Sequence, residues 1–402
     1  MKRIVIVGAG QAGHQAASSI SQLVPDARIT LLGAEKGLPY QRPPLSKAFL
    51  KGGLADTGVQ LCTRAWLAGK LIDYRDDTPV VAIDRTRCEV ITAQVDRVPY
   101  DHLVLATGAR NVRLPSNVRA LRRAHILRTL PQAKLLRDRL PHMARALVIG
   151  GGFIGLELAA CVRQMQLPTT VMERDSRVMA RAVSRRISEF FQDLHRRHGV
   201  ELRLDCVDSE SIVAAQPNDE KTLVAVGVGA RPNMQLAEEA GLETGNGIVV
   251  DGHLLTSDSR ISAIGDCANF IDPQGNRVRL ESVQNAVDQA KYIARRLAAG
   301  TLPPFRETPW FWSEQFGVRL QIAGLHGEAD QFIRLGEAES FSELGFRGEE
   351  LVCVESVNRP VDHIAARQLL TKGIDLRPAD AQVSGFTLRD HVNRLAAVAA
   401  AT

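Results

Sequence analysis

The stretch RIVIVGAGQAGHQAASSI, Arg3–Ile20, decides the fold, because its two halves ask for different backbones. Ile4–Val7 is an unbroken run of β-branched residues, the pattern of a strand buried on both faces. Glycines follow at 8, 10 and 13, and then an alanine-rich stretch suited to a helix. ARITLLGAE, Ala27–Glu35, closes the unit with a second β run that ends on a carboxylate. The same grammar recurs in ALVIGGGFIGLELAACVRQM, Ala146–Met165, with glycines at 150, 152 and 155. PTTVMERD, Pro168–Asp175, supplies its second strand and terminal Glu173. A lone GxGxxG is a weak signal. Two, each between a strand and a helix and each followed by a glutamate, predict two Rossmann-like dinucleotide-binding domains in one α/β chain.

The second unit reads as an insertion in the first. SRISAIGDCANF and the helical SVQNAVDQAKYIARRLAAG return to the first domain, and the proline-rich LPPFRETPW is a joint. Beyond it, VRLQIAGL and ELVCVESV read as strands, and RPVDHIAARQLLTKG and LRDHVNRLAAVAAA as helices. The expected division is 1–110 with 232–308 for the first dinucleotide, 111–231 for the second, and 309–402 as a C-terminal α+β domain. At 402 residues, with 45% hydrophobic and 24% charged residues, the composition is that of an ordinary globular protein. No apolar run reaches the ~18 residues of a membrane span. The first strand begins almost at Met1, so no signal or transit peptide is expected. The six cysteines are scattered singly, without CxxC or zinc spacing. Together these point to a reducing compartment, the cytoplasm. The ten histidines form no metal pattern, and HRRH, His195–His198, reads as a solvated helix face. A net charge of +5 is too small to argue for nucleic acid but is enough to steer an acidic protein partner.

At the first site, Gly8, Gly10 and Gly13 allow a tight turn, a close pyrophosphate and close helix–strand packing. The pyrophosphate rests on the helix from Gln11, and Glu35 accepts from a ribose. A glycine turn without a ligand is the plainer alternative. Downstream pieces favour FAD. LVLATGAR, Leu103–Arg110, puts small residues beside a ligand; AIGDCAN offers Asp266 for a ribityl chain; HILRT offers Arg128 for a diphosphate.

With these pieces in this order, the chain resembles the FAD-dependent NADH:ferredoxin reductases that serve Rieske-type oxygenases and bacterial P450s, relatives of glutathione reductase and apoptosis-inducing factor. The resemblance runs from Ile4 to about Lys372, and its specific stretches are PYQRPPLSK, Pro39–Lys47, and PWFWS, Pro309–Ser313. Disulfide reductases of that wider group carry a cysteine pair near the first of these. Here it holds three prolines, Arg42 and Lys47, and no cysteine. The resemblance implies that the segment wraps a flavin, Arg42 at the diphosphate and Lys47 near N5, so that electrons leave one at a time from the isoalloxazine. A rigid surface turn is the alternative.

The resemblance also implies a Lys47–Glu157 pair that sets a positive charge near N5, where the reduced flavin gathers negative charge. It places the amides at ESVQ, Glu281–Gln284, on the flavin pyrimidine, Glu281 against the nicotinamide and Trp312 over the flavin. It assigns cofactor contact to Ala12, Val81, Ala106, Thr107, Gly108, Ile154, Gly227 and Val283 as well. An ordinary solvated helix residue is the alternative for Glu157, and a core aromatic for Trp312. At the second site Gly150, Gly152 and Gly155 make the turn, and Glu173 accepts the adenine-ribose hydroxyls of NADH and repels the 2′-phosphate of NADPH. Arg174, Arg177 and Arg181 pull the other way, and the resemblance puts Arg181 near the adenosine; NADH is the expected donor. The chain departs from its relatives in two places. Val283 stands where they usually have tryptophan, and ELRLDCVDSESIVAAQPNDEKTLVAVGVG, Glu201–Gly229, is short by a strand or hairpin.

The expected protein is an FAD enzyme that takes hydride from NADH and passes single electrons to a small, acidic iron–sulfur ferredoxin. Arginines at 110, 113, 119, 122 and 123 are candidates for meeting that partner. An NADH flavoenzyme with a quinone, dye or oxygen as acceptor is one alternative. A low-turnover flavin-binding interaction protein is another.

Overall fold

The computed structural model of the protein describes residues 2–114, 124–207, 221–272 and 275–401. Arg119, Arg122, Arg123 and most of the shortened segment after Val207 lie outside them. The chain divides into two compact units: Met1–Gln41, Ala55–Arg110 and Ala230–Glu307 form one, and Arg42–Leu54, Asn111–Gly229 and Thr308–Thr402 the other.

The first unit is built on a five-stranded parallel sheet in the order Ile261–Ala263, His102–Leu105, Arg3–Val7, Arg28–Leu32, Ile72–Arg75. Its central strand is apolar from Ile4 to Val7 because both of its faces are covered, and these residues are at most 5% exposed. Helix Gln11–Leu23 packs against helix Val283–Ala299, and alanines at 12, 16, 17, 286, 290 and 294 allow the close approach. A three-stranded antiparallel sheet, Val80–Asp84, Glu89–Thr92 and Arg97–Pro99, flanks the crossover.

The second unit repeats the parallel design in the order Val200–Arg203, Thr169–Met172, Arg145–Ile149, Thr222–Val226, His125–Ile126. It also contains a five-stranded antiparallel sheet, ordered Trp310–Gln315, Val318–Gly324, Glu350–Val357, Ser340–Arg347, Gln331–Glu337. Helices Pro360–Lys372 and Leu388–Ala401 accompany that sheet. Helix Phe153–Gln164 is buried from Gly155 to Val162 and packs against strand Trp310–Gln315, with the Phe153 and Phe311 rings 4.5 Å apart.

One sequence expectation fails here. The HRRH histidines do not share a solvated face. Helix Arg185–Arg197 is strongly amphipathic, and the turn between them puts His195 in the interior and leaves His198 outside.

Candidate functional site

Both glycine turns are built the same way. Gly8 and Gly150 each have φ +106°, where a side chain is strained. A Cβ on Gly8 would also run into the Ala106 carbonyl, and one on Gly150 into that of Gly227. Gly13 and Gly155 lie against the carbonyls of Gly8 and Gly150, so helix and strand meet at backbone distance. Gly10 and Gly152 differ: a Cβ there meets nothing within 4 Å. They cap helices Gln11–Leu23 and Phe153–Gln164 in extended conformation, with no side-chain cap and no acidic residue in the first turn. The helices that start after Thr63, Thr129, Ser184 and Ser282 have side-chain caps. At the glycine turns no side chain closes the first-turn amides and the space beside Gly10 and Gly152 is open, an arrangement compatible with an anion such as a pyrophosphate.

The carboxylate after each second strand is fixed differently. Glu35 accepts from the Tyr40 hydroxyl at 2.6 Å. Glu173 accepts from the amides of Gly151 at 2.5 Å and Asp175 at 2.9 Å, which ties it to the glycine turn. The loop beyond it folds back, the Met179 amide donating to the Gly151 carbonyl at 2.9 Å. Arg177 donates to the carbonyls of Ala180 and Val183, and Arg174 lies 3.3 Å from Asp175. Arg181 stands exposed in the same loop.

Around the first turn, Thr107 is clamped by Asn233: its hydroxyl donates to the Asn233 carbonyl and its carbonyl accepts from Asn233 Nδ2, both at 2.8 Å. The Asn233 amide donates to Gly108. Gly265, at φ +75°, brings Asp266 to helix Gln11–Leu23; a Cβ there would lie 3.0 Å from that of Ala12. Arg279 donates to Glu281 at 2.5 Å and to the Asp266 carbonyl at 3.2 Å. Ser282 caps the helix that opens with Val283 by accepting from the Asn285 amide at 3.1 Å. Val81 stands at a bulge of the three-stranded sheet, half exposed.

The second unit gathers the proline-rich segment. Pro43 and Pro44 open a 3-10 turn, Pro43–Ser46, and Lys47 follows. Lys47 Nζ donates to Glu157 Oε2 at 2.5 Å, and Ser46 Oγ donates to the same oxygen at 2.8 Å. Ser313 Oγ donates to Oε1 at 2.8 Å. Glu157 is only 4% exposed, so it is a buried, fully engaged carboxylate and not a solvated helix residue. Arg42 Nη1 donates to the Arg128 carbonyl at 2.6 Å, which ties the Arg42 side chain to the backbone at Arg128. Ile154, one turn before Glu157, is half exposed. Trp312 alternates with Ser313 along its strand, so the two side chains take opposite faces; Trp312 is half-buried and Ser313 buried. Cys161 donates to the Lys47 carbonyl, and burial pushes its thiol up to about 11, so it is no thiolate at neutral pH. All six cysteines are free.

Four contributors were invisible as such in the sequence: Tyr40, Ser46, Asn233 and Ser313. Tyr40, Ser46 and Ser313 lie inside quoted stretches, but the partners of Ser46, Asn233 and Ser313 are more than a hundred residues away.

Residues 2–290 match the family of pyridine nucleotide-disulphide oxidoreductases, and residues 310–392 match the reductase C-terminal domain. The chain is 44% identical over 399 residues to the rhodocoxin reductase of Rhodococcus erythropolis, spanning 96% of this chain and 93% of that protein. It is 37% identical over 393 residues to the putidaredoxin reductase of Pseudomonas putida, spanning 93% of each. Among solved structures it superposes on a ferredoxin reductase from Rhodopseudomonas palustris with a TM-score of 0.91 at 40% identity, covering 98% of this chain and 100% of that one. The putidaredoxin reductase in a covalent complex with putidaredoxin also gives a TM-score of 0.91, at 34% identity, covering 98% and 99%. Among the described residues no helix is long and apolar enough to cross a membrane.

Proposed function

Because the chain belongs to the pyridine nucleotide-disulphide oxidoreductase family and carries the reductase C-terminal domain, we propose that it is an FAD-dependent NADH:ferredoxin reductase. The acceptor we assign to it is a small iron–sulfur protein that feeds an oxygenase; its relatives are reductases of rhodocoxin and putidaredoxin, one of them seen in a covalent complex with putidaredoxin. The observation that carries this reading is the pairing of Lys47, in a segment without cysteine, with the buried carboxylate of Glu157. A disulfide reductase needs a thiol pair there; this segment offers an ammonium held at 2.5 Å by a buried carboxylate.

Bound FAD supplies the exchange of a two-electron hydride for single electrons. The protein's own residues bind and orient. Gly8, Gly10 and Gly13 open the first helix N-terminus to the FAD pyrophosphate, Glu35 and Asp266 hold its hydroxyls, and Arg42 and Arg128 balance its phosphate charge. Gly150, Gly152 and Gly155 do the same for NADH, and Glu173 reads its ribose. Lys47 meets the flavin and stabilises charge that is larger after hydride arrives than before, which is the kind of interaction that raises the rate of the step itself. The cytoplasm, where NADH is at hand, is the compartment this reading implies.

Stopped-flow reduction of the yellow holoenzyme tests it. Lys47→Met should slow flavin reduction at saturating NADH by about tenfold to a hundredfold, the loss of roughly 1.4–2.8 kcal/mol, and leave NADH affinity nearly unchanged. An unchanged rate would remove Lys47 from the flavin. Cytochrome c reduction should require added ferredoxin; the same rate without it would favour another acceptor.

A further inference from the structure

Glu157 uses its two oxygens differently. Oε2 takes Lys47 and Ser46, while Oε1 takes Ser313, and Ser313 opens a chain that runs away from Lys47 through the interior. Gln315 Nε2 lies 3.2 Å from Ser313 Oγ, and His195 Nε2 lies 2.9 Å from Gln315 Oε1. Glu157, Ser313, Gln315 and His195 are each at most 4% exposed.

The direction of this chain is forced. The carboxylate that pairs with Lys47 has only acceptors to offer, so Ser313 must donate its one hydroxyl proton to Glu157. Ser313 then has only lone pairs for Gln315, which must turn its NH2 inward and its carbonyl toward His195. A carbonyl only accepts, so the ring proton of His195 must sit on Nε2. Burial drives the imidazole down to about 4, so it carries that one proton at neutral pH. Its Nδ1 is buried with no hydrogen-bond partner, and the ring stands edge-on to Phe316 at 5.0 Å.

We propose that Ser313, Gln315 and His195 are positioning residues for hydride transfer, a one-way line of donors that locks the plane of Glu157 and through it aims Lys47 at the flavin. This rests on the proposed role of Lys47. A carboxamide in the middle does not pass protons along, so the line holds and does not conduct. A line of this kind acts by geometry: with Oε1 released, Glu157 turns about its last bond and the ammonium that follows Oε2 loses its aim. Near-neutral contacts would not produce this, but a hydrogen bond to a charged group is worth more than one between neutral partners, and burial raises what is lost when it is removed.

The test uses the holoenzyme. Ser313→Ala should lower the rate of flavin reduction at saturating NADH about tenfold with an unchanged KM for NADH, and move the midpoint potential of the bound FAD to more negative values. A tenfold weaker reduction equilibrium corresponds to about 30 mV for a two-electron couple. Ser313→Thr, which keeps the hydroxyl, should restore both. His195→Leu should act in the same direction and less strongly, about twofold to threefold. In a Lys47→Met background Ser313→Ala should change nothing further, because what it aims is gone. If Lys47→Met slows flavin reduction and Ser313→Ala in the wild type does not, the positioning line is wrong and the flavin role of Lys47 stands. If Lys47→Met itself is silent, the role of Lys47 falls and the line with it. Folding of the variants is not needed for a second check. Histidine-selective nitrogen NMR of the wild-type holoenzyme should show His195 protonated on Nε2 and bare on Nδ1. The opposite tautomer would require Gln315 to face the other way and would overturn the proposal.

Discussion

Glu173 holds the glycine turn and keeps capacity for a ligand. Its oxygens accept from Gly151 and Asp175, yet an ionised carboxylate has about four acceptor positions, so two remain for ribose hydroxyls. Of the arginines beside it, Arg177 is engaged with the carbonyls of Ala180 and Val183 and Arg174 with Asp175. That leaves Arg181 as the cation best placed to favour a 2′-phosphate, against a carboxylate that repels one. Glu173→Ala should therefore narrow the preference for NADH over NADPH by about tenfold to a hundredfold, at roughly 1.4 kcal/mol per decade. Part of this should appear as weaker NADH binding, since the Gly151 amide also loses its acceptor. The ratio of kcat/KM values for the two nucleotides is the measurement; a wild type that uses both equally would show that the carboxylate does not read the ribose. At this scale the sequence was legible where placement follows from position within a motif. Glu173 is such a residue, fixed by a strand end, and so are the glycines. Ser313 and Ser46 are not. Nothing local marks a serine whose acceptor lies on a helix elsewhere in the chain, and His195 was misread because a charged run hides one buried ring.

The two glycine turns differ from the helix starts that carry serine caps, and the proposed function turns on that difference. Ser184 and Ser282 accept from amides of their own first turns, as caps do, and close those ends. Gly10 and Gly152 close nothing. Both sit in extended backbone that any residue adopts, with open space where a Cβ would be. The fold itself does not demand glycine there, unlike at Gly8 and Gly150. A methyl at Gly10 should then interfere with a ligand and not with folding. Gly10→Ala should lower FAD content well below one per chain while the apoprotein melts within a few degrees of wild-type apoprotein. Gly152→Ala should keep its FAD and raise KM for NADH about tenfold, or roughly 1.4 kcal/mol of binding. Absorbance of bound flavin, calorimetric melting and steady-state kinetics separate these effects; full FAD retention in Gly10→Ala would mean that the pyrophosphate does not approach that turn. Elements of this kind were the most readable part of the chain, since β-branched runs, glycine spacing and helical periodicity each follow from local backbone chemistry. What periodicity does not encode is which distant segments cluster. Arg42–Leu54 groups with the second unit, where Ser46 and Lys47 both donate to Glu157.

At the scale of the whole molecule the charge is what a partner feels first. The chain carries a net +5 and a pI near 9.0, spread over 50 basic and 45 acidic residues. An acidic ferredoxin approaching it is drawn by that field before any contact forms, so the field sets the association rate more than the affinity. Dissolved salt screens such attraction over a Debye length of about 8 Å at physiological strength. Hydride transfer from bound NADH is different, because its reacting groups are already in place when the step begins. Raising the salt should therefore slow ferredoxin reduction by about tenfold or more, within the range that steering contributes, while flavin reduction by saturating NADH changes less than about twofold. The arginines near the end of the first segment are the candidates for the attraction. Arg110 is exposed but donates to Asn233 and Gln235, so part of its guanidinium serves the fold. Arg113 is exposed as well. Arg122 and Arg123, neighbours in sequence outside the described residues, add two charges, and their joint reversal to glutamate changes the net charge by four. The double variant should lose most of the salt dependence together with most of the ferredoxin-reduction rate at low salt, and keep its rate of flavin reduction. An intact rate with an intact salt slope would place the docking surface elsewhere on the molecule. No electron transfer to any ferredoxin at any salt would be a deeper failure, since it would withdraw the acceptor itself and leave an NADH flavoenzyme whose electrons go to a quinone or to oxygen.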